Sequence, residues 1–158
     1  MRKSKINISG FKIGTAENRE GLTGVTVILA PDGGATAGVD VRGCAPGTRE
    51  TDLLDPRKTV QKIHAVVLSG GSAFGLEAAS GCVKYLAEQG VGFPIGNVCV
   101  PIVCSAVLFD LMIGDEKAYP DLLMGYEAAK SASSEFLSGC NGAGTGACLL
   151  YTSPSPRD

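Results

Sequence analysis

Tryptophan is missing from this chain of 158 residues, histidine occurs once, and aromatic side chains make up only 6%. With His64 as the lone imidazole and no CxxC pair among the six cysteines (44, 82, 99, 104, 140 and 148), a zinc site lacks its usual ligands. Charge of one sign is scarce too. Fourteen Lys and Arg stand against sixteen Asp and Glu, a net of -2, so there is no basic field for a phosphate backbone and nucleic acid is not an expected partner. No apolar run reaches membrane-spanning length. Residues 6–13 alternate apolar with polar or glycine residues, where a secretory signal would be continuously apolar. The expectation is a soluble, cytoplasmic protein with no membrane partner, metal or cofactor, whose scattered cysteines are small, buried and reduced.

What is present is 44% hydrophobic residues, enough for the core of one domain, and 22 glycines concentrated at 33–34, 70–71, 139 and 142–146. Residues 24–30 (GVTVILA) read as a strand, and 36–41 (TAGVDV) as its hairpin partner across the turn at 31–34. A polar segment at 42–58 reads as a surface loop, and 63–68 (IHAVVL) as a buried strand. Residues 73–89 form a predicted amphipathic helix, with Phe74, Ala78, Cys82, Tyr85 and Leu86 on its apolar face, Ser72 as N-cap and Gly90 as its stop. Its small residues, Gly75, Ala79, Ser80 and Gly81, allow a close neighbour. A further strand is expected at 106–111 after the break at Pro101. A second helix is expected at 119–133, with Leu123, Ala128 and Ala132 facing the core.

Two glycine-rich segments invite a chemical reading. Ser69-Gly70-Gly71-Ser72, between a strand and a helix, either exposes amides to a carboxylate, phosphate or oxyanion, or simply caps a closely packed helix. It carries neither the Lys-Ser/Thr ending of a P-loop nor a G-x-S-x-G elbow. Gly142-Ala143-Gly144-Thr145-Gly146 is either an anion site or a tight crossing. His64 reads as a core histidine with its ring hydrogen-bonded, and Asp40, Asp52, Asp55 and Asp110 have no spacing that marks an acid/base pair.

Five motifs in order resemble the DmpA-type family of L-aminopeptidase/D-esterases, which includes β-peptidyl aminopeptidases and has nylon-oligomer hydrolases as relatives. They are TGVTVILAP at 23–31, AGVDVRGCAPGTRETDLLDP at 37–56, HAVVLSGGSAFGLEAASG at 64–81, VPIVCSAVLFDL at 100–111 and GAGTGA at 142–147. The resemblance implies an α+β fold, the αββα sandwich of N-terminal-nucleophile hydrolases. It also implies a precursor that cleaves itself so that a Ser or Thr becomes the N-terminal nucleophile of a second subunit, a logic needing neither histidine, metal nor cofactor. That nucleophile, and a lysine seen in the nylon-hydrolase relatives, would follow GAGTGA. By the same resemblance Gly70, Gly71, Ser72 and Phe109 border the substrate pocket, Phe109 where relatives can carry a tyrosine. The bland alternatives are a core aromatic for Phe109 and a helix cap for Ser72.

The implied substrates are small peptides, amides or esters, and the complete enzyme would be a homo-oligomer of processed heterodimers. Residues 148–158 (CLLYTSPSPRD) can be encoded by a transposase-type sequencing adaptor. The expectation is therefore an incomplete sandwich: residues 1–147 as the N-terminal part of one hydrolase domain, inactive without its C-terminal half. The competing readings are a small-ligand or anion-binding α/β domain, using the turn from Ser69 to Gly75 on a parallel sheet, and a non-catalytic member of the fold.

Overall fold

A computed structural model describes residues 2–147. Among the described residues nine strands and two helices follow one another in an α+β arrangement. The strands are β1 (Arg2–Lys5), β2 (Lys12–Asn18), β3 (Thr23–Leu29), β4 (Thr48–Arg49), β5 (Ala65–Ser69), β6 (Phe93–Ile95), β7 (Val98–Val100), β8 (Val103–Val107) and β9 (Glu135–Ser138). The helices are α1 (Ala78–Glu88) and α2 (Leu122–Lys130). The central sheet has the order β2-β3-β5-β8-β4 and is antiparallel except where β5 and β8 run parallel, Ala65 opposite Val103 and Ser69 opposite Val107. The stretch between those two strands contains α1, as a parallel crossover requires. β1 pairs with β9, and β6 with β7, outside this sheet.

Alternation sorts the sheet into two faces. Val25, Val27, Ala65, Val67 and Val103 point to one side and form the core with Ala78, Ala79, Cys82 and Leu86 of α1 and Ala128 and Ala129 of α2. The two helices pack backbone to backbone. A Cβ on Gly81 would lie 2.0 Å from the carbonyl oxygen of Leu122, and one on Gly125 would lie 1.9 Å from that of Ala78. That is the close neighbour the small residues of α1 call for. The opposite face, with Ile13, Thr26, Ile28, Leu68 and Ala106, carries no helix among the described residues. β9 and the turn Gly142–Gly144 lie along it.

Several expectations are corrected. Residues 36–41 form no strand, because both edges of β3 are already taken by β2 and β5, and Val39 and Val41 lie exposed. The hairpin partner of β3 is β2. β5 is buried on one face only, with Leu68 open on the other. The apolar run from Val98 divides at Pro101 into β7, which pairs with β6 outside the central sheet, and β8, which ends at Val107 because its partner β5 ends at Ser69.

Residues 72–77 form a 3-10 turn, and α1 begins only at Ala78. Phe74 lies 57% exposed, outside the core face. Asp121 caps α2 by accepting from the Met124 amide at 2.8 Å, and Leu123 projects outward at 66% exposure. Cys82 and Cys104 are buried as expected, whereas Cys44, Cys99 and Cys140 are exposed. His64 meets its expectation: it is buried, and its Nδ1 accepts from the Ile102 amide at 3.1 Å.

Candidate functional site

At the carboxyl end of β5 the chain turns through Gly70 and Gly71 into Ser72. Gly71 has φ 79° and Ser72 has φ 53°, left-handed values that glycine tolerates and serine adopts only when its surroundings hold it there. The holding bonds are explicit. Gly70 N donates to the Gly24 carbonyl at 2.9 Å, Ser72 N to the Leu108 carbonyl at 2.9 Å, and Leu108 N to the Ser69 carbonyl at 2.9 Å. Gly71 N donates to Asp110 Oδ1 at 2.6 Å. The amides of Gly70, Gly71 and Ser72 are therefore spent inside the protein. The anion cradle envisaged for this turn is filled by the protein's own acceptors, and the largely antiparallel sheet likewise departs from the parallel one of the ligand-binding reading.

Ser72 is not a helix cap: it is the first residue of the 3-10 turn, and Gly71 occupies the cap position before it. The hydroxyl has no hydrogen-bond partner among the described residues. Phe109 lies beyond the end of β8 and is 60% exposed, which excludes the core-aromatic alternative. Gly70, Gly71, Ser72 and Phe109 thus come together in one place, where the 69–72 turn is laced to the 108–110 segment.

Asp110 is the residue that sequence spacing did not single out. Its carboxylate is 2% exposed and accepts from Gly71 N through one oxygen and from Thr23 Oγ1 at 2.8 Å through the other. A Cβ on Gly70 would fall 2.0 Å from Asp110 Oδ2, and one on Gly146 would fall 2.9 Å from it. The glycines of both motifs are what leave room for this carboxylate. The available signal was an aspartate closing an apolar run, residues 106–111, where a solvated charge is out of place.

The second glycine segment is held in the same manner. Gly142 N donates to Glu17 Oε2 at 3.1 Å and Ala143 N to Thr26 Oγ1 at 3.1 Å, while Arg19 bridges Glu17 Oε1 at 2.6 Å and Asn141 Oδ1 at 3.1 Å. An anion is already in place there, the carboxylate of Glu17. Beside it the open sheet face forms an apolar hollow of about 440 Å³, lined by Ile28, Leu68, Ser69, Leu108, Phe136 and Gly144 among others. This volume suits a small organic ligand. The chain neighbours Ser69 and Leu108 line it, so the turn holding Gly70, Gly71, Ser72 and Phe109 sits at its margin. A wider hollow of about 700 Å³ lies over residues 48–60 and involves none of these groups.

Phe74 and Tyr119 stack across the mouth of the turn, ring centres 4.6 Å apart, both exposed. His64 is remote: it precedes β5 and Ser72 follows it, a separation on the order of 15 Å along the strand. Burial pushes its imidazole below the ordinary value, and its Nδ1 is engaged with Ile102. It is not placed to take a proton from Ser72.

Comparison with known proteins shows the family. The model for peptidase family S58 matches residues 5–152. An uncharacterized aminopeptidase of Mycobacterium tuberculosis (strain ATCC 25618 / H37Rv) is 48% identical over 121 residues, 77% of this chain and 35% of that protein. A 6-aminohexanoate-oligomer endohydrolase of Paenarthrobacter ureafaciens is 36% identical over 144 residues, 90% of this chain and 38% of that protein. The chain thus spans little more than a third of the length of these curated relatives. Among solved structures, a protein of Pyrococcus horikoshii OT3 superposes with a TM-score of 0.70 at 23% identity, over 88% of this chain and 43% of that one. A β-aminopeptidase of Burkholderia sp. does so with 0.64 at 18% identity, over 88% and 41%. At these identities the two structures speak for the fold.

Proposed function

From the premise that this chain belongs to peptidase family S58, we propose that it supplies one wall of the substrate cleft of a self-processing aminopeptidase or amide hydrolase. The substrates are small peptides, amides or esters, attacked at their N-terminal residue. The observation that carries this reading is the family match along residues 5–152, joined to a glycine turn that gathers Gly70, Gly71, Ser72 and Phe109 at the rim of an apolar hollow.

The nucleophile in this proposal is the Ser or Thr freed by self-cleavage, its own α-amine moving the proton, and it comes from sequence outside this chain. Two features support looking for it there. The Ser72 hydroxyl makes no hydrogen bond among the described residues, and the single histidine is buried with Nδ1 committed as an acceptor. Residues 1–147 accordingly serve as the N-terminal subunit, residues 148–158 are foreign to it, and the working enzyme is a cytoplasmic oligomer of processed heterodimers. Among the described residues no helix is long and apolar enough to cross a membrane.

The test is to recover the coding sequence downstream of Ala147, express it in frame with this segment, and follow mass and amino-acid anilide hydrolysis. Self-cleavage before a Ser or Thr, together with hydrolysis, is the expected result. Hydrolysis by the present chain alone, or an uncleaved active product, would overturn the proposal.

A further inference from the structure

Asp110 has features that packing alone does not explain. It is almost fully buried, and it makes no ion pair among the described residues, its charge being met by one amide and one hydroxyl. A bare carboxylate in such surroundings is costly to bury, and a neutral amide side chain could keep the bond from Gly71 with its oxygen while donating its nitrogen to the Thr23 hydroxyl. The bond at 2.6 Å goes to the residue that must stay left-handed, Gly71, and the next residue is the strained Ser72 with its unengaged hydroxyl. Backbone held in sparsely populated regions by an over-determined surrounding is found at sites that must present a group in one direction.

We propose that Asp110 is the positioning residue of this wall: by holding Gly71 left-handed it presents the Ser72 hydroxyl, free of internal partners, to a polar group of the substrate, its amine or its amide carbonyl. The inference rests on the reading of this turn as a substrate wall. The strength of the arrangement comes from its anchoring at three places. Thr23 fixes the second carboxylate oxygen from β3, Leu108 fixes the Ser72 amide from the strand end, and the missing Cβ atoms of Gly70 and Gly146 let the carboxylate lie between the two glycine motifs.

The experiment compares the chain as it is with Asp110→Asn, Asp110→Ala, Thr23→Val and Ser72→Ala, using backbone amide NMR and hydrogen exchange, with alaninamide as the probe ligand. In the unsubstituted protein the Gly71 amide proton should be shifted downfield by its charged acceptor and protected. In Asp110→Ala its exchange should quicken by about 10-fold or more, as for any amide released from a buried acceptor. Asp110→Asn should restore most of that protection while losing the downfield shift, and Thr23→Val, which frees the second carboxylate oxygen, should quicken Gly71 exchange by less than Asp110→Ala does. Alaninamide should move the Ser72 resonance, less so in Asp110→Ala, and not perturb this turn in Ser72→Ala.

Equal Gly71 protection in the unsubstituted protein and Asp110→Ala would overturn the positioning role. If Asp110→Ala fails to fold, an unchanged Gly71 shift in folded Asp110→Asn would overturn it instead. Should Gly71 behave as expected while alaninamide perturbs nothing near Ser72, Asp110 would be a holder of the turn only, and the substrate-wall reading would be what fails.

Discussion

Gly125→Ala sets two effects of opposite sign against each other. At the middle of α2, alanine gains about 0.8–1.0 kcal/mol over glycine in helix propensity. The new Cβ, however, would lie 1.9 Å from the Ala78 oxygen and 2.6 Å from its carbonyl carbon. Both atoms are backbone of the residue that opens α1, so no side chain can swing aside. Relief requires the helices to part by more than an ångström. That gap removes contacts from Ala79, Cys82, Ala128 and Ala129, all fully buried at the α1–α2 seam. Overpacking of this kind costs about 1–3 kcal/mol, and thinning the neighbouring contacts adds to it. After the propensity gain a net loss of about 1–3 kcal/mol remains, a fall in Tm of roughly 3–9 °C for a domain of this size. Thermal unfolding followed by circular dichroism, with urea midpoints as a second measure, reads this directly. Gly38→Ala is the control: nothing lies within 4 Å of its added Cβ, so it should be neutral or stabilising by about 0.5 kcal/mol. A Gly125→Ala protein as stable as the Gly38→Ala control would refute the close-packing account of the two helices.

His64 should make stability depend on pH on the acid side. Its folded pKa is lowered by burial from an ordinary 6.5, so the unfolded chain takes the proton first; the contribution is complete above about pH 6.5 and is lost as pH falls toward the lowered folded value. Tm measured between pH 8 and pH 5 should fall, and His64→Leu should flatten that component; a rise in Tm on acidification would contradict the assignment. The cysteines should divide by accessibility. Burial pushes the Cys82 thiol up to about 12 and raises that of Cys104, whereas Cys44, Cys99 and Cys140 are exposed. Iodoacetamide at about pH 8 should label the exposed three in the native protein and reach Cys82 only on unfolding; mass spectrometry showing Cys82 labelled at their rate would disprove its burial.

What the sequence made legible was local. The periodicity of Ala78, Cys82 and Leu86 defines α1 because one helix face meets one sheet, and β3 stands out because its β-branched residues fill the core face. Residues 36–41 alternate as well as any strand here. Whether alternation becomes a strand depends on a vacant sheet edge, which no stretch of sequence reports about itself. The run from Val98 to Leu111 has no period, so the place where it changes from free hairpin to sheet member is fixed by its register against β5. The site was half visible. Glycine clusters flagged both turns, but their occupants come from far away along the chain. Asp110 reaches Gly71 across 39 positions and Thr23 across 87, and Glu17 reaches Gly142 across 125. Spacing rules for acid/base pairs do not extend over such distances, and so the carboxylates that fill the turns went unmarked.

The pairing of β1 with β9 bears on how the protein is born. Ser4 meets Ser138 through their hydroxyls at 2.8 Å, a separation of 134 positions. At about 5–20 residues per second a ribosome needs roughly 7–27 s to make that stretch, while a hairpin closes in microseconds. During that interval the first strand has nothing of its own to pair with, and a bare strand is a template for any other nascent chain. Lys3 and Lys5, exposed at alternate positions of β1, give the waiting strand like charges that repel a second copy of itself. Lys3 and Lys5 thus place like charges on the exposed side of a strand whose partner lies more than a hundred positions further along the chain.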